Sequence, residues 1–380
     1  MSSRSVNAVL AVLVEEGRLD ASGAARAAEA LSGPATATPW YLRILAGFGG
    51  WLAALFLTGF FLVTLFLSES GMPSVSDLLP FGILLLGGAI LLRREQRGTF
   101  FNQLALAASL TGQVLVVLGV QPIDVEGSAL LVLLMQVLLI VFYVDQAHRV
   151  LSTLIAVFAI QMLFLASIWW WPENLVLASD GALVLLPVFA LPGVLGIVSM
   201  RLWLRETACA SPGPARLLRP IAYGLVIGLF GLLLPSAYPF QYGWPGGMFF
   251  WGPMWPSAIL LGAGLLYLVH TLLKERGLPP FGAFALSAYG AVLLLLLPAL
   301  RAPGLIAALT VLLLGFRRGN RLLMGIALVF LAVFLSAYYY SLSLPLLLKS
   351  VALVGSGAVL LGLRWVIFKQ LSKREALDAH

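Results

Sequence analysis

The sequence predicts an all-α fold: a polytopic transmembrane helical bundle of about 12 spans, preceded by a short cytoplasmic N-terminal helical hairpin. Three observations predict it. Hydrophobic residues make up 61% of the 380 and charged residues only 10%, too few to coat a soluble domain of this size. The apolar residues fall in long uninterrupted blocks, whereas a membrane β-barrel would show short alternating segments. The loops between blocks alternate in charge along the chain.

Residues 1–43 form the expected cytoplasmic segment, and this polar, alanine-rich opening does not read as a secretory signal. The run VNAVLAVLVEE places apolar residues at helical spacing, and Gly17 suits a left-handed stop. Asp20 or Ser22 suits the cap of a second run, AARAAEAL, which ends at Gly33-Pro34. Such a hairpin, over residues 5–32, reads equally as a docking module or as a simple prelude to the membrane domain.

The transmembrane domain is expected over 44–368, with a cytoplasmic tail at 369–380. Its spans are expected near 45–67, 78–92, 100–120, 128–144, 150–171, 179–200, 220–239, 257–273, 281–300, 303–316, 322–340 and 345–368. A full crossing takes about 20 residues, so 78–92 and 303–316 are short and extend into their flanks or re-enter. One set of loops carries Arg93, Arg94 and Arg97; Arg149; Arg201, Arg205, Arg216 and Arg219; Lys274 and Arg276; and Arg317, Arg318 and Arg321. The tail adds Lys369, Lys373 and Arg374. The opposite loops carry Glu69, Asp77, Asp124, Glu126, Glu173 and Asp180, with Arg301 as their only basic residue. Basic loops stay in the cytoplasm, which places both termini there and makes the number of spans even. Topology thus accounts for the net charge of +7, and nothing in its distribution resembles a nucleic-acid groove.

Aromatic residues crowd the expected outer face. Trp169, Trp170 and Trp171 end one block, Tyr338, Tyr339 and Tyr340 end another, and the uncharged loop YPFQYGWPGGMFFWGPMWP fills 238–256. An interfacial belt explains this placement. The alternative is an ordered cap in which Trp244, Trp251 and Trp255 receive a partner or an amphiphile.

Candidates for chemistry are few. Cys209 is the single cysteine and the three histidines are scattered, so no metal or other cofactor is expected. Walker A, HExxH and GxSxG patterns are missing, and GSG at 355–357 lies inside an apolar run. Asp145 and His148 read as a local hydrogen-bonded pair. The acidic residues all lie in tails, loops or span edges, which argues against ion coupling through buried carboxylates. In the third span Asn102, Ser109 and Gln113 fall within about 20° of one helical line. Gln136 and Gln161 sit mid-block in the next two spans. These residues either join helices or line a path for a polar solute. Pro187 and Pro192 mark a kink or hinge in the sixth block. In the last span Lys349 and Arg364 lie about one turn from opposite ends on one broad face, with Ala352, Ser356 and Gly357 between them. Snorkelling explains both charges, and so does contact with a partner helix or lipid headgroups.

The segment YYYSLSLPLLLKSVALVGSGAVLLGLRW at 338–365 resembles the C-terminal signature of a bacterial membrane family, domain-of-unknown-function family 4401. PWYLRILAGFGGWLAALFLTGFF at 39–61 is similar to that family's first span, and LVEEGRLDASGAARA fits its prelude. On this resemblance Lys349 and Arg364 are the pattern's charged positions, and Tyr338 and Tyr339 its aromatic pair. The resemblance implies an inner-membrane complex with a related multi-pass protein and a small GDYxxLxY-motif protein, and it supplies no activity and no catalytic residue. The expected function is therefore a non-enzymatic subunit of an envelope membrane complex in the bacterial inner (plasma) membrane. The alternative is a transporter or lipid-handling permease using the stripe in span three. The basic segment 201–219 would divide the chain six and six, as in two-half transporters, although LLRREQRG lacks their loop aspartate.

Overall fold

The computed structural model describes residues 10–17, 19–20, 22–25, 27, 40–66, 75–94, 98–120, 124–143, 145–169, 181–205, 212–237, 254–300, 302–341 and five isolated positions between 347 and 361. Among these the chain is helical, with no strand. The main helices are α1 (Trp40–Phe66), α2 (Val75–Arg94), α3 (Thr99–Gly119), α4 (Val125–Phe142), α5 (Gln146–Trp169) and α6 (Gly181–Arg205). They continue as α7 (Pro212–Ala237), α8 (Trp255–Glu275), α9 (Ala283–Ala299), α10 (Gly304–Arg318) and α11 (Arg321–Ser341). Six stretches are long and apolar enough to cross a membrane: Thr99–Gly119, Val125–Phe142, Gln146–Ala166, Leu186–Arg205, Leu217–Ser236 and Trp255–Glu275. Ile44–Phe60, Ala283–Ala299 and Arg321–Ala337 are shorter apolar helices.

The helices follow the apolar blocks, through internal prolines such as Pro80, Pro192 and Pro235, and they stop on specific devices. Asp124 caps α4 by accepting from Gly127 N–H at 2.7 Å. Gly319, at φ 60°, ends α10 in the left-handed conformation that glycine adopts without penalty. Asn320 then opens α11, its Oδ1 accepting from Leu323 N–H and its amide donating to Tyr223 Oη at 2.6 Å.

The chain divides into two compact units, Met1–Gly119 and Val120–His380. The segment 201–219 is therefore not a boundary between these units. Helices α6 and α7, which flank that segment, pack against each other, and Leu195 shares a core cluster with Leu225 and Leu232.

In the first unit, a helical segment ends at Gly17, at φ 67°, where Leu19 N–H reaches back to Leu13 O at 3.1 Å. Asp20 caps the following turn by accepting from Gly23 N–H at 3.0 Å, with Ser22 Oγ donating to the same carboxylate at 2.5 Å. Helix α3 packs against both α1 and α2. The α2–α3 approach rests on glycines: a Cβ on Gly82 would lie 2.7 Å from Val116 N, and one on Gly112 would lie 2.9 Å from Gly82 O. Absent side chains let the two backbones meet.

In the second unit, α7 packs against α5, α6, α10 and α11. Phe230 of α7 stacks on Phe330 at 4.4 Å, and Phe230, Leu233, Leu268, Ile306 and Phe334 belong to one buried cluster. At one end of this cluster Trp203 is buried edge-on to Tyr223, and Arg317 pairs with Glu275. Helix α9 exposes Leu293, Leu294, Leu295 and Leu297, a surface that suits lipid rather than water.

Candidate functional site

The residues singled out from the sequence have different fates. Lys349, Arg364, Trp244, Trp251, Trp170 and Trp171 lie outside the described residues, as does most of the 238–256 loop. Tyr338 is helical within α11, with its side chain outside the described set. Tyr339 is half-buried and meets Tyr340 edge-on at 5.5 Å. Trp255, at the first position of α8, is 44% exposed.

The polar stripe is inside the protein. Ser109 is fully buried and Gln113 is 5% exposed, and the Gln113 amide donates to Ser109 Oγ at 3.3 Å. Asn102 Oδ1 is buried with no hydrogen-bond partner. Neighbouring polar residues tie α1 to α3: Trp51 Nε1 donates to Gln103 Oε1 at 3.1 Å and Thr58 Oγ1 to Thr111 Oγ1 at 3.3 Å. Gln136 of α4 is fully buried in the other unit. Asp145 and His148 are locally joined, but through the main chain, with His148 N–H donating to Asp145 Oδ2 at 3.3 Å. The buried His148 ring stacks on Tyr143 at 3.9 Å and meets Ser152 Oγ at 3.1 Å. Among the described residues no three His, Cys, Asp or Glu side chains gather as metal ligands would.

One feature of α6 was only half legible. Pro187 and Pro192 lie inside α6, which continues through both, and the structure supplies an added partner for the main chain there. Ser257 of α8 enters the helix ladder: its Oγ accepts from Gly193 N–H at 3.0 Å and donates to Phe189 O at 2.5 Å. Those are the two groups that a regular helix would pair with each other, four residues apart. The Ser257 hydroxyl thus gives each of these two buried main-chain groups a hydrogen bond beside the prolines. The approach is close, since a Cβ on Gly193 would lie 3.0 Å from Ser257 Cα. No pattern within α6 announces a serine 64 residues downstream.

Beside Pro192 is a pocket of about 90 Å³. Helix α5 contributes Phe158 and Gln161, α6 contributes Val188 and Pro192, α7 contributes Gly231 and Pro235, and Met254 closes it before α8. Gln161 Oε1 is buried without a hydrogen-bond partner. Val188 and Gly231 are the residues whose carbonyls would bond to positions 192 and 235, where proline offers no N–H. The proline-bearing faces of α6 and α7 thus line the same small, uncharged space. Of the expected polar residues, the structure puts Gln161 there.

Comparison with known proteins returns no matching curated protein and no matching solved structure. A family profile described as "Domain of unknown function (DUF4401)" matches residues 39–370, nearly the whole chain. From α1 to beyond α11, this helical chain belongs to the DUF4401 family.

Proposed function

We propose that the protein is a non-enzymatic subunit of a bacterial envelope membrane complex. In this reading it spans the inner membrane twelve times, with an N-terminal helical hairpin and both termini in the cytoplasm. The carrying observation is on α2. Most glycines within these helices are contact points: a Cβ at Gly50, Gly82, Gly112, Gly119, Gly224 or Gly228 would meet a neighbouring helix at 3.0 Å or less. Gly87 and Gly88 differ, since a Cβ on either has no heavy atom within 4 Å, and Ile83, Leu84 and Leu91 beside them are exposed. Two adjacent glycines on an exposed apolar face suit close approach by another membrane helix.

Lys349 and Arg364, with Tyr338, Tyr339, Trp244, Trp251 and Trp255, would add partner or lipid contacts near the two surfaces. The resemblance points to a related multi-pass protein and a small GDYxxLxY-motif protein as the partners. Gentle extraction from the native membrane followed by mass spectrometry tests this. A stoichiometric membrane partner should co-purify, and Gly87→Leu and Lys349→Ala should each reduce its recovery while leaving the amount of inserted protein unchanged. Undiminished recovery with both variants overturns the reading.

The pocket at Gln161 favours a second reading, a transporter or lipid-handling permease. Solute uptake or lipid movement in vesicles containing the purified protein alone would support it, and a flat response from folded protein would count against it.

A further inference from the structure

Helix α8 leaves one face uncovered along its length. Trp255, Ile259, Ala263, Tyr267, His270 and Lys274 are all exposed, and steps of three and four residues keep them on one side of the helix. The first three positions are apolar or aromatic, as a lipid-facing surface requires, whereas the last three carry polar ends. Helix α8 packs against both α6 and α9, and each sends a polar side chain to that second half. The Arg201 guanidinium of α6 lies over the Tyr267 ring, 5.2 Å from its centroid, and Tyr289 Oη of α9 meets His270 Nδ1 at 3.0 Å.

The charge on this face is unbalanced. Arg201 and Lys274 are exposed, and among the described residues neither pairs with a carboxylate. Glu275, beside Lys274, is held instead by Arg317 Nε at 2.9 Å. Snorkelling does not account for Arg201, because a snorkelling side chain reaches outward past the end of its helix. Its guanidinium is drawn to Tyr267, eight residues or ~12 Å before the end of α8. Ionisable groups that face lipid are costly unless an opposite charge meets them. A phosphate fits, because a guanidinium offers it a bidentate fork and an ammonium a point charge. With Tyr289 O–H donating to Nδ1, neutral His270 keeps its hydrogen on Nε2 and adds a third donor from an exposed ring. The apolar half of the face suits a chain attached to that phosphate. Helix α9 runs antiparallel to α8, since His270 meets Tyr289 while a Cβ on Gly262 would lie 2.9 Å from Leu296 Cδ1. Exposed Leu293 and Leu297 are therefore level with Ile259 and Ala263. We propose that this face binds an anionic phospholipid, its phosphate held by Arg201, His270 and Lys274 and an acyl chain lying along Ile259 and Leu293. The assignment rests on the membrane-spanning reading above and not on any protein partner.

Native mass spectrometry of the full-length protein in detergent tests it, with dioleoyl phosphatidylglycerol and dioleoyl phosphatidylcholine supplied at equal concentration. Phosphatidylglycerol adducts should outnumber phosphatidylcholine adducts about tenfold, because only the first lipid brings a phosphate without its own cation. Arg201→Gln and Lys274→Gln should each cut that preference to about threefold, and the double variant should abolish it. Lys274→Gln changes only an exposed chain end, which keeps the proposal testable if Arg201→Gln fails to fold. Arg321→Gln, which removes an equal charge at the start of α11, should leave the preference unchanged. Soluble glycerol phosphate, the same head without the chains, should not compete at the lipid's own concentration. If it does, the site takes a soluble anion and the lipid assignment is overturned. Equal adducts of the two lipids, full preference in the double variant, or a protein dimer forming in place of the adducts would also overturn it. Any of these results from protein that still reconstitutes into vesicles would leave the spanning reading standing.

Discussion

The hydroxyl of Ser257 satisfies two main-chain groups of another helix, so its removal has two possible consequences of different size. If the two groups depend on the hydroxyl, Ser257→Ala leaves Gly193 N–H and Phe189 O buried and unmet, at about 1–3 kcal/mol. If they pair with each other along the helix, the loss falls to a few tenths. Because Pro192 removes a neighbouring ladder bond, we expect the larger loss, read as earlier unfolding in detergent titrations. A loss below about 0.5 kcal/mol would show that the two groups pair with each other. A second residue-level expectation concerns Asp20, whose carboxyl is held below its ordinary 3.8 by the Ser22 hydroxyl and then by Gly23 N–H. A depressed pKa means the cap contributes fully above that ordinary value and is lost as pH falls through the lower native one. The Gly23 amide resonance should therefore hold steady on acidification to about pH 4 and move only below it. A midpoint at or above 3.8 would contradict the cap.

Two glycines five residues apart on α2 separate internal packing from exposed surface. At Gly82 a methyl group would lie 2.7 Å from Val116 N of α3, whose main chain has no free rotamer with which to move away. Gly82→Ala should therefore cost about 1–3 kcal/mol through forced separation of the helices. Gly87→Ala adds the same methyl group where no heavy atom lies within 4 Å, and it should be neutral or slightly stabilising. Thermal unfolding of both variants in one detergent checks the contrast, and equal losses would refute the α2–α3 contact. This scale also marks what the sequence could convey. Apolar blocks identify helices because uninterrupted hydrophobic runs leave no alternative, so α3, α5 and α8 were legible almost to their ends. Glycine, by contrast, reads the same at 82 and 87, because composition does not say which face a neighbour takes. The pocket was hidden for a related reason. Gln161, Pro192 and Pro235 are each explicable alone, and only the packing of α5, α6 and α7 brings them together.

At the scale of the molecule, the basic loops predict a single orientation, and the chain carries its own reporter. Cys209 is its only cysteine, set between Arg201 and Arg205 on one side and Arg216 and Arg219 on the other. It lies outside the described residues, so its use rests on connectivity alone. The positive-inside rule puts this segment in the cytoplasm. A membrane-impermeant maleimide should leave Cys209 untouched in intact spheroplasts and label it after the membrane is opened. The reciprocal probe is Asn174→Cys in a Cys209→Ser background, because the 172–179 loop carries Glu173 and no basic residue. That cysteine should react from outside without permeabilisation. Among the described residues one helix, α6, lies between the two sites, so opposite accessibility is the result expected of a crossing there. Labelling of both from the same side would make α6 re-entrant, which its two prolines and the inserted Ser257 hydroxyl would permit. An odd number of crossings would then replace twelve, and the two termini would lie on opposite sides of the membrane. Opposite accessibility in the predicted sense would instead fix the pocket end of α6, near Val188 and Pro192, toward the outer half of the bilayer, because Arg205 ends the same helix at the cytoplasmic surface.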